Sequence, residues 1–402
     1  MMFPATSNNA SRRRENELLL HCVRNYPNLV ESQRLNGLNG SEIDWDYLIQ
    51  AALAHKVMPL VYHSLQRFWS KVSPPLVLHR LQELFQANAR RNLFLSSELA
   101  RLLKILDGHG INAIAVKGPM LSVYAYGSIS QRQYIDLDIL VRKRDILKAK
   151  DLLLANGFRL WRQMTAEEQQ SHLASKHAFV LIPASEMYSV DLHWAMTRRH
   201  HSYSLDDEEL WNQAESISFA GRNTLTFKPE QMILILATHG SKHSWRQLGW
   251  ICDVAQLIRS RPELDWQRVI REAENARCLR ELFLALHLAK NLAGATLPDS
   301  LWKMAGKYPG VKAAARRVTR RLFSAEQLFL LQSLRRLVFL FRLKQRVKDG
   351  VVFLLHELKL AMRPNSKDYA LVALPEALSF LYYILRPIRL TVSYGLLPLI
   401  RH

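Results

Sequence analysis

The sequence predicts an α+β protein in which a small mixed sheet is flanked by N-terminal and C-terminal helical regions. Three observations carry this. Apolar residues recur at helical intervals through residues 15–106. Short β-branched runs bounded by glycine begin near Gly108, and helical periodicity returns after Lys228. With 402 residues, 49% of them hydrophobic and 22% charged, the chain can fill more than one core and falls outside the disordered class. The expected organisation is an N-terminal helical region at 1–106, an α/β core at 107–227, a helical region packing on that core at 228–300, and a basic amphipathic tail at 301–402.

In the first region, "IDWDYLIQAALAHKVMPLVYHSLQRF" and "LHRLQELFQANARRNLFLSSELARLLKIL" are helical, separated by the turn "KVSPP". "INAIAV" (111–116) is a buried strand, and "GPMLSVYAYG" a short helix with Pro119 in its first turn. "YIDLDILV" (134–141) is the next strand, followed by the helical "RDILKAKDLLLANGF" with Gly157 as its stop. "HAFVLI" and "YSVDLHW" form a hairpin across "PASEM". No internal repeat or low-complexity segment interrupts this order.

The formal charge is +20, and its placement matters more than its size. From Leu301 onward 7 Lys and 12 Arg stand against 5 acidic residues, a net of +14. "RRVTRRLF", "SLRRLVFLFRLKQRVKDG" and "LRPIRLTVSYGLLPLIRH" combine arginines with apolar residues as amphipathic basic helices do. Such helices suit an anionic membrane surface or a nucleic-acid backbone, or pack their apolar faces on the preceding domain. Cys22, Cys252 and Cys278 have no metal spacing and are too few for a disulfide framework. No secretory signal and no apolar run of transmembrane length is read, so the expected location is cytoplasmic, peripheral to the inner face of a membrane if the tail binds lipid.

The α/β region carries the chemistry. Strand side chains repeat every two residues, so Asp136 and Asp138 share one face. A half-buried strand with a wet outer face shows the same alternation, so this pair alone does not choose. Two further features favour a metal. Asp191 in "SVDLHW" supplies a third carboxylate from a later strand, and three acidic oxygen donors suit hard divalent cations. Lys117-Gly118 lies at the start of a helix, where backbone and dipole attract phosphate.

The pattern "AVKGPMLSVYAYG…QRQYIDLDILV…VDLHW" resembles an uncharacterised nucleotidyltransferase family of the DNA polymerase β-like superfamily. "AALAHKVMPLVYHSL", "HGSKHSWRQLGWICDVAQL" and "LPEALSFLYYILRPIRL" extend the likeness over most of the chain. The resemblance implies a small mixed-sheet nucleotidyltransferase core. It also implies transfer of a nucleoside monophosphate from an NTP to a hydroxyl acceptor, with Mg²⁺ (or Mn²⁺) as cofactor. By it, Asp136, Asp138 and Asp191 hold metal, Asp191 helps deprotonate the acceptor, Lys117 and Gly118 hold the triphosphate, and Arg132 is a candidate phosphate clamp. The acceptor, whether protein, tRNA, sugar or other small molecule, is not encoded in the motif. The superfamily's usual Gly-Gly or Gly-Ser turn is here Gly118-Pro119; Gly127-Ser128 falls at the end of the short helix instead.

His239 and His243 in "HGSKH" stand four apart, on one helix face, and His193 shares the strand face of Asp191. Gly240 occupies the place of the glutamate of an HExxH zinc motif, so the pair reads as packing or hydrogen-bonding residues, or as accessory ligands. Two rival readings follow. One is a non-catalytic nucleotide- or phosphate-binding adaptor held by the tail; the other is a metal-dependent hydrolase using the histidines with the aspartates.

Overall fold

The structure, a computed structural model, describes residues 12–24, 42–196, 207–323, 329–362, 372, 378 and 381–391. The chain divides into two compact units, Met1–Ser324 and Ala325–His402. The larger opens with helices α1 (Arg13–Arg24), α2 (Trp45–Ala54), α3 (Met58–Phe68) and α4 (Pro75–Asp107). The sheet region follows: β1 (Ala113–Ala115), α5 (Gly118–Tyr126), β2 (Asp136–Val141), α6 (Ile146–Ala155), β3 (Phe158–Leu160), α7 (Ala166–Ser175), β4 (Ala178–Pro183), β5 (Ser189–His193), α8 (Asp207–Asn212), β6 (Ala214–Phe219) and β7 (Arg222–Phe227). Helices α9 (Pro229–Lys242), α10 (Leu248–Ser260), α11 (Trp266–Asn275), α12 (Leu279–Ala293), α13 (Asp299–Lys307) and α14 (Val311–Leu322) complete it. The α+β class and the mixed sheet flanked by helices stand as the sequence predicts.

The seven strands run in the order β3-β4-β5-β2-β1-β7-β6, which puts β2 in the middle. Its neighbours differ in direction: β5 runs parallel to it and β1 antiparallel. Alternation then sorts its side chains. Leu137, Ile139 and Val141 join one apolar core with Leu95, Leu99, Leu102 and Leu106 of α4 and Ala149 and Leu153 of α6. Val190 and Leu192 of β5 enter the same core. Because paired residues of adjacent strands share a face, Asp136, Asp138, Asp191 and His193 fall together on the opposite face. The dry face fixes the register, since a one-residue slip would turn the carboxylates into the apolar core and the leucines onto the site face.

Strands β3, β6 and β7 extend the sheet beyond the sequence expectation. β6 and β7 close through Ala220-Gly221, both at positive φ (49° and 76°), between the paired Phe219 and Arg222. That is the backbone of a type I′ hairpin, where Asn-Gly would have been the recognisable signal. With Ala in first place the turn is hidden.

Polar contacts from α4 shape the loop entering β2. Asn92, fully buried, donates to the carbonyls of Ile129 (2.6 Å) and Arg132 (2.8 Å), and Asn88 to those of Ser130 and Arg132. Arg132 then meets Asp253 of α10 through two nitrogens, Nε to Oδ1 at 2.8 Å and Nη2 to Oδ2 at 2.9 Å. The hydroxyl of Tyr126, the last residue of α5, donates to the same Asp253 Oδ1 at 2.8 Å. One buried ion pair therefore joins α5, the loop before β2 and α10.

The second unit contains α15 (Phe329–Leu343), α16 (Val347–Met362) and α17 (Tyr382–Thr391). A Cβ on Gly350 would lie 2.6 Å from the Phe341 ring, so glycine lets α16 approach α15 closely. Among the described residues no helix is long and apolar enough to cross a membrane. Parts of the predicted basic tail, at 324–328, 363–371, 373–377, 379–380 and 392–402, lie outside the described residues.

Asp253→Ala would strand the Arg132 guanidinium in the interior and is expected to cost about 3–5 kcal/mol in urea unfolding. The double variant Arg132→Met/Asp253→Leu, which removes both charges, is expected to recover most of that loss. Equal destabilisation by the single and double changes would show that the pair is not what joins these elements.

Candidate active site

Gly118 begins the construction. It has φ +55°, and a Cβ there would approach the Asp136 carbonyl oxygen to 3.0 Å. Only glycine lets α5 start this close to β2. Pro119 suits the next position because the amide it removes has no partner in the first helical turn. The preceding residue, Lys117, thereby reaches the carboxylate face.

Asp138 is the centre of what Lys117 finds. Its Oδ1 accepts from Lys117 Nζ at 3.0 Å and from His193 Nε2 at 3.0 Å. Burial works to raise the Asp138 pKa, but the Lys117 ammonium and His193 hold it well below the usual carboxylate range. Burial likewise works to lower the Lys117 pKa, and Asp138 with Asp136 holds it above its ordinary value. Lys117 Nζ also lies 3.5 Å from His239 Nδ1. Burial, the Lys117 charge and His243 push the His239 pKa well down, so its ring is neutral at pH 7 and accepts at Nδ1.

Asp191 faces Asp138 directly across the β2–β5 pairing. Burial first, then the negative charge of Asp138, raise its pKa from 3.8 to about 6. Among the described residues, Asp138, Asp191 and His193 form the group that could hold a metal, with ligand atoms within 4.8 Å of one another. The fit to a hard divalent cation rests on three features. The donors are mainly carboxylate oxygens, a cation would offset the burial and the Asp138 repulsion that raise the Asp191 pKa, and His193 Nδ1 is buried without a hydrogen-bond partner. Asp136 stands outside this group but lines the adjoining cleft.

That cleft, of about 180 Å³, gathers Lys117, Gly118, Arg132, Asp136 and Asp138 with His239, His243 and Trp250. His239 and His243 do share a helix face, their rings 4.8 Å apart, and both contact Trp250, at 5.5 and 5.2 Å. The glycine between them has a packing cause: a Cβ at 240 would lie 2.4 Å from the buried Trp245 ring. Arg132 lines the cleft with its fork turned to Asp253. The sequence reading missed Lys56 and Gln247, which complete the cleft wall, and Asp253 as the fixed partner of Arg132. These residues meet only through the fold.

An acidic pair on a central strand, a third carboxylate opposite on the parallel neighbour, and a lysine just before a glycine-started helix thus converge around one cleft. The family described as uncharacterised nucleotidyltransferase matches residues 41–294, more than half of the chain, and the protein belongs to it. It is thereby a transferase of the nucleotidyl class. The match takes in every residue of the site and ends before the second unit. Among solved structures, the solution structure of the antibiotic-resistance factor ANT(2″)-Ia aligns over 49% of this chain and 96% of its own, at 13% identity and a TM-score of 0.34. No curated protein matches the sequence.

Asp191 binds its proton more tightly in the native chain than when unfolded, so its ionisation destabilises the metal-free fold. The penalty starts above about pH 4 and is complete above about pH 6. Asp191→Asn is therefore expected to raise metal-free stability at pH 7.5 by about 1–3 kcal/mol, several degrees in Tm. The gain should shrink as the pH falls toward 4, and MgCl₂ should stabilise wild type more than the variant. A variant less stable at pH 7.5 would contradict the assignment.

Proposed function

We propose that the protein is a divalent-metal-dependent nucleotidyltransferase that moves a nucleoside monophosphate from an NTP to a hydroxyl acceptor in the cytoplasm. The observation that carries this is the pairing of Asp138 with Asp191, with Asp136 two residues earlier beside Gly118. Asp138, Asp191 and His193, with Asp136 from the adjoining cleft, would hold magnesium or manganese, which when bound would neutralise the triphosphate and polarise its α-phosphorus. Gly118 and the positive end of α5 receive phosphate oxygens, and Lys117 supplies a fixed ammonium beside them. Arg132, its charge paired with Asp253, orients the loop before β2 rather than clamping phosphate. The acceptor oxygen attacks the α-phosphorus while the α–β P–O bond breaks and pyrophosphate leaves. Asp191 takes the acceptor proton.

Incubation with each α-labelled NTP, MgCl₂ and cell extract should label an acceptor and release pyrophosphate, and Asp136→Asn should reduce labelling at least about 100-fold. NTP binding without pyrophosphate release in any extract would favour the adaptor reading. Tightly bound zinc with hydrolysis would favour the hydrolase.

The second unit supports a peripheral attachment to an anionic membrane. On α16, Val347, Val351, Leu354, Leu355 and Leu358 recur at one-face spacing and are all exposed, Val347 by 77% and Leu355 by 61%. Arg346, Lys348 and Lys359 beside them are exposed as well. Apolar side chains with a basic border are what inserts at an anionic lipid surface. The protein should float with phosphatidylserine vesicles at 0.1 M salt, and Leu355→Glu/Leu358→Glu should abolish flotation. Binding to RNA that is indifferent to both changes would sink the lipid assignment.

A further inference from the structure

The cleft holds three cations, and two are spent. Lys117 serves Asp138 and His239, and Arg132 serves Asp253. The third, Lys56, comes from the turn between α2 and α3, within "AALAHKVMPLVYHSL", a stretch to which the sequence assigns no role in the site. Among the described residues its ammonium has no ion pair, although it lines the cleft with Gly118 and Asp136. We propose that Lys56 is the substrate-binding cation of this site, contacting the triphosphate of the NTP; this rests on the nucleotidyltransferase reading above.

The backbone at Lys56 carries the argument. The Lys56 amide donates to Leu53 O at 3.1 Å and the Val57 amide to Ala52 O at 2.9 Å. Those two bonds make a Schellman helix end with Lys56 at its left-handed position, φ +57°. Glycine is the residue that occupies this position without strain, and a fold needing only the turn would gain by having it. A lysine here costs stability relative to glycine, and unlike Arg277, which ends another helix in the same left-handed conformation, it lines the cleft. Strained non-glycine backbone of this kind concentrates at functional sites.

The turn is also held rigidly. The amide of Gly249, in the first turn of α10, donates to the His55 carbonyl at 2.9 Å, and that of Leu248 to His55 Nδ1 at 3.4 Å. A Cβ on Gly249 would meet the His55 and Lys56 carbonyl oxygens at 3.0 and 3.1 Å, so a larger residue would have to push the two backbones apart. The Lys56 stem is therefore fixed by two backbones while its head remains unpaired. Burial lowers its pKa and the negative charge of Asp136 opposes this, so the ammonium is poorly solvated and gains from an incoming anion. The N-terminal helical region is on this account part of the nucleotide site.

Lys56→Gly separates the two roles of the residue, because it relieves the turn while deleting the cation. Binding of Mg·tripolyphosphate and of each Mg·NTP should be measured by calorimetry on the full chain, alongside Tm. Lys56→Gly is expected to raise Tm and to weaken both ligands by about 10–100-fold, the loss of one charge-assisted contact. Lys56→Gln should weaken them equally without the gain in Tm, and Lys56→Arg should retain most of the affinity. If wild type binds these ligands and Lys56→Gly and Lys56→Gln bind them as well, the Lys56 assignment is wrong and the nucleotidyltransferase reading survives. If wild type binds none, both fall together.

Discussion

One buried oxygen organises this protein. Asp138 sits on the middle strand of the sheet, 3% exposed, and its Oδ1 is shared by Lys117 and His193. A carboxylate that deep must be paired or protonated, and pairing it dictates its surroundings. Lys117 has to be delivered by a helix that starts hard against β2, which requires glycine at 118. His193 has to come from a parallel neighbour in register, which requires β5 beside β2. His239, buried and beside the Lys117 ammonium, is then held neutral. Chain segments distant in sequence answer to a single charge.

The second buried pair extends the same logic outward. Asp253 neutralises Arg132, accepts from Tyr126 and so fastens α10 to the far end of α5. The N-terminus of α10 is fastened separately to the turn carrying Lys56. The helices before and after the sheet thus do more than cover it, since each supplies a wall of the cleft. A sheet with its carboxylates alone would present an open acidic face. The flanking helices convert that face into a bounded cavity whose cations are individually assigned.

What could be read from the sequence follows from where the constraint is local. The Asp136–Asp138 alternation, the glycine before α5 and the Asp191 run each sit within one element, and each shows its chemistry in a few residues. The β4–β5 hairpin was legible for the same reason. The fate of Arg132 was not, because Asp253 lies 121 positions away and nothing near Arg132 names it. Lys56 was hidden differently. A Schellman end normally announces itself with glycine, and the lysine that makes the position interesting also erases the signal. β6 and β7 were missed at Ala220 through the same substitution of a side chain where glycine or asparagine is expected. β3 has only three residues, too few to establish a period.

The histidines show how packing decides between chemistries that a motif leaves open. A zinc peptidase places a glutamate between its two histidines as the base. Here Trp245 fills the space that any side chain at 240 would need, so the helix was built around an indole instead of a carboxylate. His239 already accepts from a lysine, which makes it a poor first ligand for a second cation. The donors that lie within reach of one ion are on the sheet, at Asp138, Asp191 and His193, and not on α9. Carboxylates thus line the sheet wall of the cleft, while the imidazoles of His239 and His243 against Trp250 line the other.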